Sequence, residues 1–462
     1  MIQPARVDVR PRLEAAPPLP AQASVAPGPA ASSLPHVVIV GGGFGGLMTA
    51  LALRGAPVQI TLIDRHNHHL FQPLLYQVAT AALSPSQIAV PIRHILASQT
   101  NCTVWMADVE RIDTSARRVV LADASIDYDY LVLATGATQS YFGHEDWARH
   151  APGLKTVEDA IEIRQRLLLA FEHAERVCAT ESQRPYLTFV VIGGGPTGVE
   201  LAGAIGEIAA STIRSDFRHL RPENAQVILI EASDRLLPGF PEPLARRAEQ
   251  DLVHLGVTVR LHSRVTKIGD AAVTIETQRG LETIATRNVL WAAGVKASPL
   301  GASLGVPLDR MGRVCVQPDL SIPGHPAVFV VGDLAHAPDP VTGEPAPAVA
   351  PAALQMGRHV ARIIEADVRL QQTDTAARPH FRYQDKGLLA TIGRTKAVAA
   401  IGPFQFAGLL AWLVWCAVHI MFLITFRQRV LVMIEWLWSY LTFTGGARLI
   451  SGTTAADQRR GE

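Results

Sequence analysis

Charge is scarce in this 462-residue chain: Asp, Glu, Lys and Arg make up only 18% of it, against 48% hydrophobic residues. The net charge is +1, so there is no basic surplus of the kind that draws a protein to nucleic acid or to an acidic partner. Cysteine is scarcer still. The four, Cys102, Cys178, Cys315 and Cys416, stand apart with no CxxC pair. That spacing excludes a zinc site and a disulfide framework, and fits reduced thiols in a cytosol-facing protein. The N-terminus lacks the continuous apolar stretch of a secretory signal. Residues 1–35 are rich in Ala and Pro and hold nothing that could build a core, so a disordered tail is expected there. Arg6, Arg10 and Arg12 leave organelle targeting open as the alternative.

What the chain does have is one device twice. "VVIVGGGFGGL" (37–47) and "FVVIGGGPTGVEL" (189–201) each run from a short β-branched stretch into glycines at the first, third and sixth places, then into a helix-compatible segment. In the first copy Gly41 permits the tight turn, Gly43 removes a side chain where a pyrophosphate must approach, and Gly46 lets the helix pack close to the sheet. Gly193, Gly195 and Gly198 repeat the pattern. The helix start then offers free N–H groups and partial positive charge to phosphate. Each copy also has its acid: "VQITLID" ends in Asp64 and "AQVILIE" in Glu231, placed to bond the hydroxyls of an adenosine ribose. Two nucleotides are therefore expected.

The order of segments favours nesting. "YDYLVLATGA" (128–137), with Thr135 and Gly136, and "NVLWAAGV" (288–295), with Gly294, read as strands that cross from one fold to the other. "AVFVVGDLA" (327–335), ending in Gly332 and Asp333, reads as a strand returning to the first fold. Residues 151–184 read as a helical connector. The expected architecture is α/β: two Rossmann-like dinucleotide-binding domains, the second inserted in the first, plus a C-terminal helical membrane-anchoring segment. The boundaries are 36–150 with 291–370 for the first domain, 151–290 for the second, and 371–462 for the C-terminal region.

Residues 36–365 resemble the two-dinucleotide-binding flavoproteins. That resemblance implies FAD in the first fold and a nicotinamide nucleotide in the second, with Asp64 on the FAD ribose, Asp333 on a ribityl hydroxyl and Glu231 on the ribose of NADH. A carboxylate at Glu231 would repel a 2′-phosphate, so NADH is expected over NADPH; Arg235 is the nearby cation that could reverse this. Gly43 and Gly45 would leave the backbone side of the flavin open. No cysteine pair stands near the flavin segments, which argues against a disulfide reductase. Sulfide:quinone oxidoreductases need reactive cysteines, for which Cys178 and Cys315 are the only candidates.

A narrower resemblance, to type II NADH dehydrogenases, rests on "DRHNHHLFQPLLYQVATAALSPSQIAVPIR" (64–93), "GGGPTGVELAGAIGE" (193–207), "LWAAGVKASPLG" (290–301), "PAVAPAALQMGRHVA" (347–361), "FRYQDKGLLATIGRTKAV" (381–398) and the C-terminal apolar segment. It implies a single-subunit NADH:quinone oxidoreductase that pumps no protons. It places Gln355 at the quinone entrance, with Pro351 departing from the frequent Ala-Gln start, and points Lys386 toward the flavin region. Glu200 is either a first-turn carboxylate favoured by the helix dipole or a polar group that positions the nicotinamide. His66, His68 and His69 lack a converging ligand set, so no metal is expected.

The segment "AGLLAWLVWCAVHIMFLITF" (407–426) carries no charge, and a second apolar run follows at 430–443. Four of the seven tryptophans fall in these two runs, as at a membrane interface. An in-plane anchor, a single span and the interface of a homodimer all remain open here. His419 and Glu435 are too isolated to read as a proton relay. The expected partners are membrane lipid and a quinone (ubiquinone or menaquinone) at the cell inner membrane, with the catalytic domains facing the cytoplasm. A soluble acceptor, either a ferredoxin-type protein or oxygen, and an FAD/NAD-binding sensor without turnover are the alternatives.

Overall fold

The computed structural model describes residues 34–177, 183–371, 375–442 and 447–450; the tail up to residue 33 and Cys178 lie outside them. Strand β1 (His36–Val40) is a β-branched run almost wholly buried, as a strand covered on both faces must be. It pairs parallel with β2 (Gln59–Asp64) and with β4 (Tyr130–Leu133), and β2 pairs parallel with β3 (Cys102–Met106). Helix α1 (Phe44–Ala52) leaves β1 through the first glycine turn.

The second sheet repeats this order. Strands β5 (Thr188–Ile192), β6 (Gln226–Ile230), β7 (Val257–Arg260) and β8 (Asn288–Trp291) are all parallel, in the order β7-β6-β5-β8. Helix α2 (Pro196–Asp216) leaves β5 through the second glycine turn. Each sheet is followed in sequence by a three-stranded antiparallel meander ahead of its β4 or β8 strand, at 109–127 and 264–285. Only then does β9 (His325–Val330) come back to the first sheet, parallel to β4. The two segments that cross between the sheets, Ala137–Gln139 and Val295–Ala297, pair antiparallel with each other. The connector between them carries a helix at Val157–Arg176, capped by Thr156 and Asp159.

Helix α3 (Ala350–Leu370) lies against α1 at a glycine-on-glycine contact. A Cβ on Gly357 would sit 2.4 Å from the carbonyl oxygen of Gly45, and the Thr49 hydroxyl donates to Gly45 O and Gly357 O at 2.9 and 3.3 Å. This crossing carries the start of α3 to the end of β1. Arg378 then ties the following segment to the first sheet: its guanidinium, 3% exposed, bonds Asp319 at 2.8 Å and Asp367 at 2.5 Å.

A small antiparallel sheet follows, β10 (Leu388–Thr391), β11 (Ala397–Ile401) and β12 (Phe404–Ala407), and then helices α4 (Leu409–Phe422) and α5 (Phe426–Thr442). The run 407–426, for which a single span was one expectation, is thus not one helix. Ala407 ends a strand, Gly408 turns at φ +81°, and α4 stops after 14 residues, about 21 Å at 1.5 Å per residue. Arg429 closes that stop by donating to Leu423 O at 2.8 Å, and the Thr425 hydroxyl accepts the N–H of Gln428 at 3.3 Å. Among the described residues no helix is long and apolar enough to cross a membrane.

Candidate functional site

The two glycine turns superpose in their chemistry. Gly41 and Gly193 sit at φ +104° and +110°, where a side chain is strained. A Cβ on Gly46 would lie 1.9 Å from Gly41 O, and one on Gly198 would lie 1.8 Å from Gly193 O, so each helix can meet its strand only because both residues lack one. Gly43 and Gly195 face open space: a Cβ there would meet no atom within 4 Å. Gly45 differs from the expectation. A Cβ on it would strike the Val331 side chain at 2.9 Å and lie 3.5 Å from Ala353 O, so its missing side chain serves packing, although the residue itself still borders the cleft.

The paired acids also match. Asp64 accepts the N–H of Gly42 at 2.6 Å and that of His66 at 2.7 Å. Glu231 accepts the N–H of Gly194 at 2.6 Å and bonds the Ser233 N–H and hydroxyl at 2.7 and 2.8 Å. Each carboxylate thus pins its own glycine turn from the end of the next strand. Arg235 turns away to donate to Pro238 O at 3.0 Å. Of the three histidines after Asp64, His69 is buried and its Nδ1 donates to Gly42 O at 2.9 Å, behind the same turn.

A cavity of about 720 Å³ opens at the C-terminal ends of the first sheet, where a doubly wound fold places its ligand. Gly41, Gly43, Gly45, Asp64, Thr135, Gly136 and Asp333 all line it, as does Thr197 from the second turn. Two observations show that it is built for a ligand. The Thr135 hydroxyl is buried without a hydrogen-bond partner. Burial holds the Asp333 carboxyl above its ordinary range, offset in part by Lys155 and Arg313. Lys155, another lining residue, escaped the sequence reading; its only signal there is its place beside the Thr156 cap of the connector helix.

The three residues predicted as catalytic stand elsewhere, and so does Gly294. Glu200, one turn past Thr197, is not in the cleft wall. It is buried where Thr391 and Trp415 meet α2, and burial pushes it up to about 8 despite a bond from the Thr391 backbone. The Trp415 indole N–H approaches it without completing a hydrogen bond. Gln355 is locked on both amide atoms by one residue: Nε2 donates to Gln384 O and Oε1 accepts Gln384 N, each at 2.9 Å. Lys386, two residues beyond that clamp, is exposed and does not line the cleft. Gly294 lies under the ring of Phe142, whose Cζ would be 2.5 Å from a Cβ there.

A second cavity, about 130 Å³, lies past Glu200 on the same face of α2. Tyr76, Trp412, Trp415 and Trp436 supply its aromatic walls, with Glu207 and Arg394 at the polar side. The Trp436 indole donates to Gln77 Oε1 at 2.7 Å, fastening α5 to the first fold. His419 stacks on Trp415 with ring centres 4.1 Å apart; burial pushes it down to about 4, so it is neutral.

Residues 35–357 match the family described as pyridine nucleotide-disulphide oxidoreductase, and residues 386–443 match the NDH2 C-terminal domain. A type II NADH:quinone oxidoreductase of Mycobacterium tuberculosis is 43% identical over 434 residues, 92% of each chain. The chain belongs to the type II NADH dehydrogenases of that family. A second M. tuberculosis type II NADH:quinone oxidoreductase is 44% identical, covering 89% of this chain and 88% of its own. In fold, the chain is similar to NDH2 from Plasmodium falciparum solved with NADH: TM-score 0.83 at 18% identity, covering 90% of this chain and all of that one. None of the three described cysteines, Cys102, Cys315 and Cys416, lines the large cavity, and burial raises Cys102 to about 11 and Cys416 to about 12. Those two thiols stay protonated and unreactive at neutral pH.

Proposed function

We propose that this chain is an FAD-dependent NADH:quinone oxidoreductase that moves two electrons from NADH to quinone without pumping protons. The observation that carries the reading is the duplicated cradle, glycine turn and pinning acid on two separate sheets of one chain. We take 36–150 with 291–370 as the FAD-binding domain, 151–290 as the NADH-binding domain and 371–462 as the membrane-facing region. Gly41, Gly43, Gly46, Asp64, Thr135, Gly136 and Asp333 are assigned to FAD; Gly193, Gly195, Gly198, Glu231 and Gly294 are assigned to NADH. The chemistry FAD supplies when bound is acceptance of a hydride from NADH and release of its electrons to quinone.

The chain's own residues prepare the acceptor side. Quinone reduction consumes protons, and Glu200, kept protonated by burial at neutral pH, holds one between the large cleft and the aromatic cavity. The indole-walled cavity suits a flat, apolar ring with polar edges. Gln355 is assigned to fixing the segment that carries Lys386, because both of its amide atoms are already engaged; Lys386 then offers a cation to charge developing on the acceptor.

For lipid, the support is the outer face of α4 and α5, where Leu410, Met421, Phe426, Leu437, Trp438 and Leu441 are 59–79% exposed. So large an exposed apolar face marks an interaction site. We assign it to one leaflet of the inner membrane, with the nucleotide folds on the cytoplasmic side; a homodimer covering the same face is the competing outcome. The test is steady-state oxidation of NADH by the purified protein, with its flavin identified, using a short-chain quinone. Turnover that requires the quinone supports the assignment; equal turnover with a ferredoxin or oxygen alone rejects it.

A further inference from the structure

Phe142 stands where backbone preference does not explain it and packing explains only its underside, which meets Gly294 and the Trp291 ring at 6.2 Å between centres. Its ring is 67% exposed, so little apolar surface is hidden by its presence. Its φ is +53°, a left-handed conformation that a bulky residue adopts at a cost and that marks ligand clamps. The strain is held in place from below. Tyr141 stacks on Trp291 at 5.1 Å, the Trp291 indole donates to Ser140 O at 2.8 Å, and Ser140 N donates to Gly294 O at 3.1 Å. The loop is thus fastened to β8 and to the segment after it by the two residues just before the exposed ring.

Its position names the occupant. β8 lies on the side of β5 away from β6, the strand that ends at Glu231. A dinucleotide lying across the ends of such a sheet puts its adenosine over the acid strand and its other half past the switch point, over the segment that follows β8. That segment abuts the glycine turn: a Cβ on Gly193 would lie 2.6 Å from Ala292 C and from Ala293 Cα. Phe142 roofs the next residue, Gly294.

We infer that Phe142 is the aromatic wall of the nicotinamide half of the second nucleotide site, a positioning residue that touches the nicotinamide ring and not the ADP-ribose part. The inference rests on the assignment of NADH to the second fold.

The discriminating pair of ligands is NAD⁺ and ADP-ribose, which share everything but the nicotinamide. The flavin-loaded protein is titrated with each by calorimetry, as wild type, Phe142→Gly and Phe142→Tyr. Glycine suits φ +53°, so the variant keeps its thermal midpoint or gains. Loss of one aromatic contact should weaken NAD⁺ about three- to tenfold and raise the KM for NADH alike. ADP-ribose should bind all three proteins equally, and tyrosine should restore NAD⁺ affinity. Unchanged NAD⁺ binding in Phe142→Gly overturns the inference, as does equal weakening of ADP-ribose. Wild-type protein that binds neither ligand overturns the underlying nucleotide assignment instead.

Discussion

Replacing Glu200 by glutamine tests the buried acid on stability alone, apart from turnover. The carboxyl has an ordinary value of 4.5 and is pushed by burial up to about 8 in the fold. Below 4.5 both folded and unfolded chains hold the proton, and pH has no leverage through this group. As pH rises beyond that, the unfolded chain gives up a proton that the folded chain keeps, so stability falls until the folded carboxyl also ionises. At about 1.4 kcal/mol per pH unit, the loss is about 3 kcal/mol at pH 7 and about 5 kcal/mol above pH 8. The amide keeps an acceptor for the Thr391 N–H and carries no charge to desolvate. Urea or thermal midpoints should therefore be read for both proteins at each pH from 5 to 9. The gap in favour of Glu200→Gln should open steadily up to about pH 8, reaching about 3–5 °C there, and level off above it. Parallel curves would mean that Glu200 is solvated in the fold, and the assignment of a protonated carboxyl between the two cavities would fall with it.

Three further outcomes follow from the same geometry. Glu231→Gln should shift the kcat/KM ratio toward NADPH by about tenfold, because on the proposed assignment it removes a charge facing the 2′ position; unchanged selectivity in steady-state assays would detach Glu231 from the ribose. Gly195→Ala should fold normally and weaken nicotinamide nucleotide binding, since its Cβ meets only open space, whereas Gly198→Ala should lower soluble yield because its Cβ would lie 1.8 Å from Gly193 O; similar behaviour of the two would deny the division of labour in the turn. Glu at positions 410, 437 and 441 together should abolish flotation with anionic vesicles while leaving the thermal midpoint in place, and persistent flotation would locate the lipid contact elsewhere. Removing residues 404–462 outright is a poorer experiment, because Ala411 and Trp415 are buried in the core.

The local parts of this fold were legible in the chain because they are local. A β-branched run, a glycine that must take a positive φ, another that must admit a carbonyl at under 2 Å and an acid at the end of the next strand all lie within 37–64 or 189–231. What escaped is set by partners far away in sequence. Glu200 gets its character from burial beneath segments roughly two hundred residues on, where Thr391 and Trp415 only partly offset the upward push. Gln355 looks free in sequence, yet Gln384 takes both ends of its amide. Gly45 reads as part of a phosphate turn but is needed by Val331 and by the Gly357 crossing. The break in the apolar run had a visible cue in Gly408, while the second, at 423–425, depends on the side chain of Arg429 reaching back to Leu423. The Phe142–Gly143 turn shows in sequence only as a dipeptide between strands.

The central claim is that one polypeptide brings a nicotinamide donor and a quinone to the same flavin. Stopped-flow absorbance of the purified, flavin-loaded protein tests it most directly, in two successive mixes without oxygen. The account predicts that NADH bleaches the flavin band and that a short-chain quinone then restores it within the time of one turnover. A flavin that NADH leaves coloured, or that stays bleached when quinone is added, would contradict it.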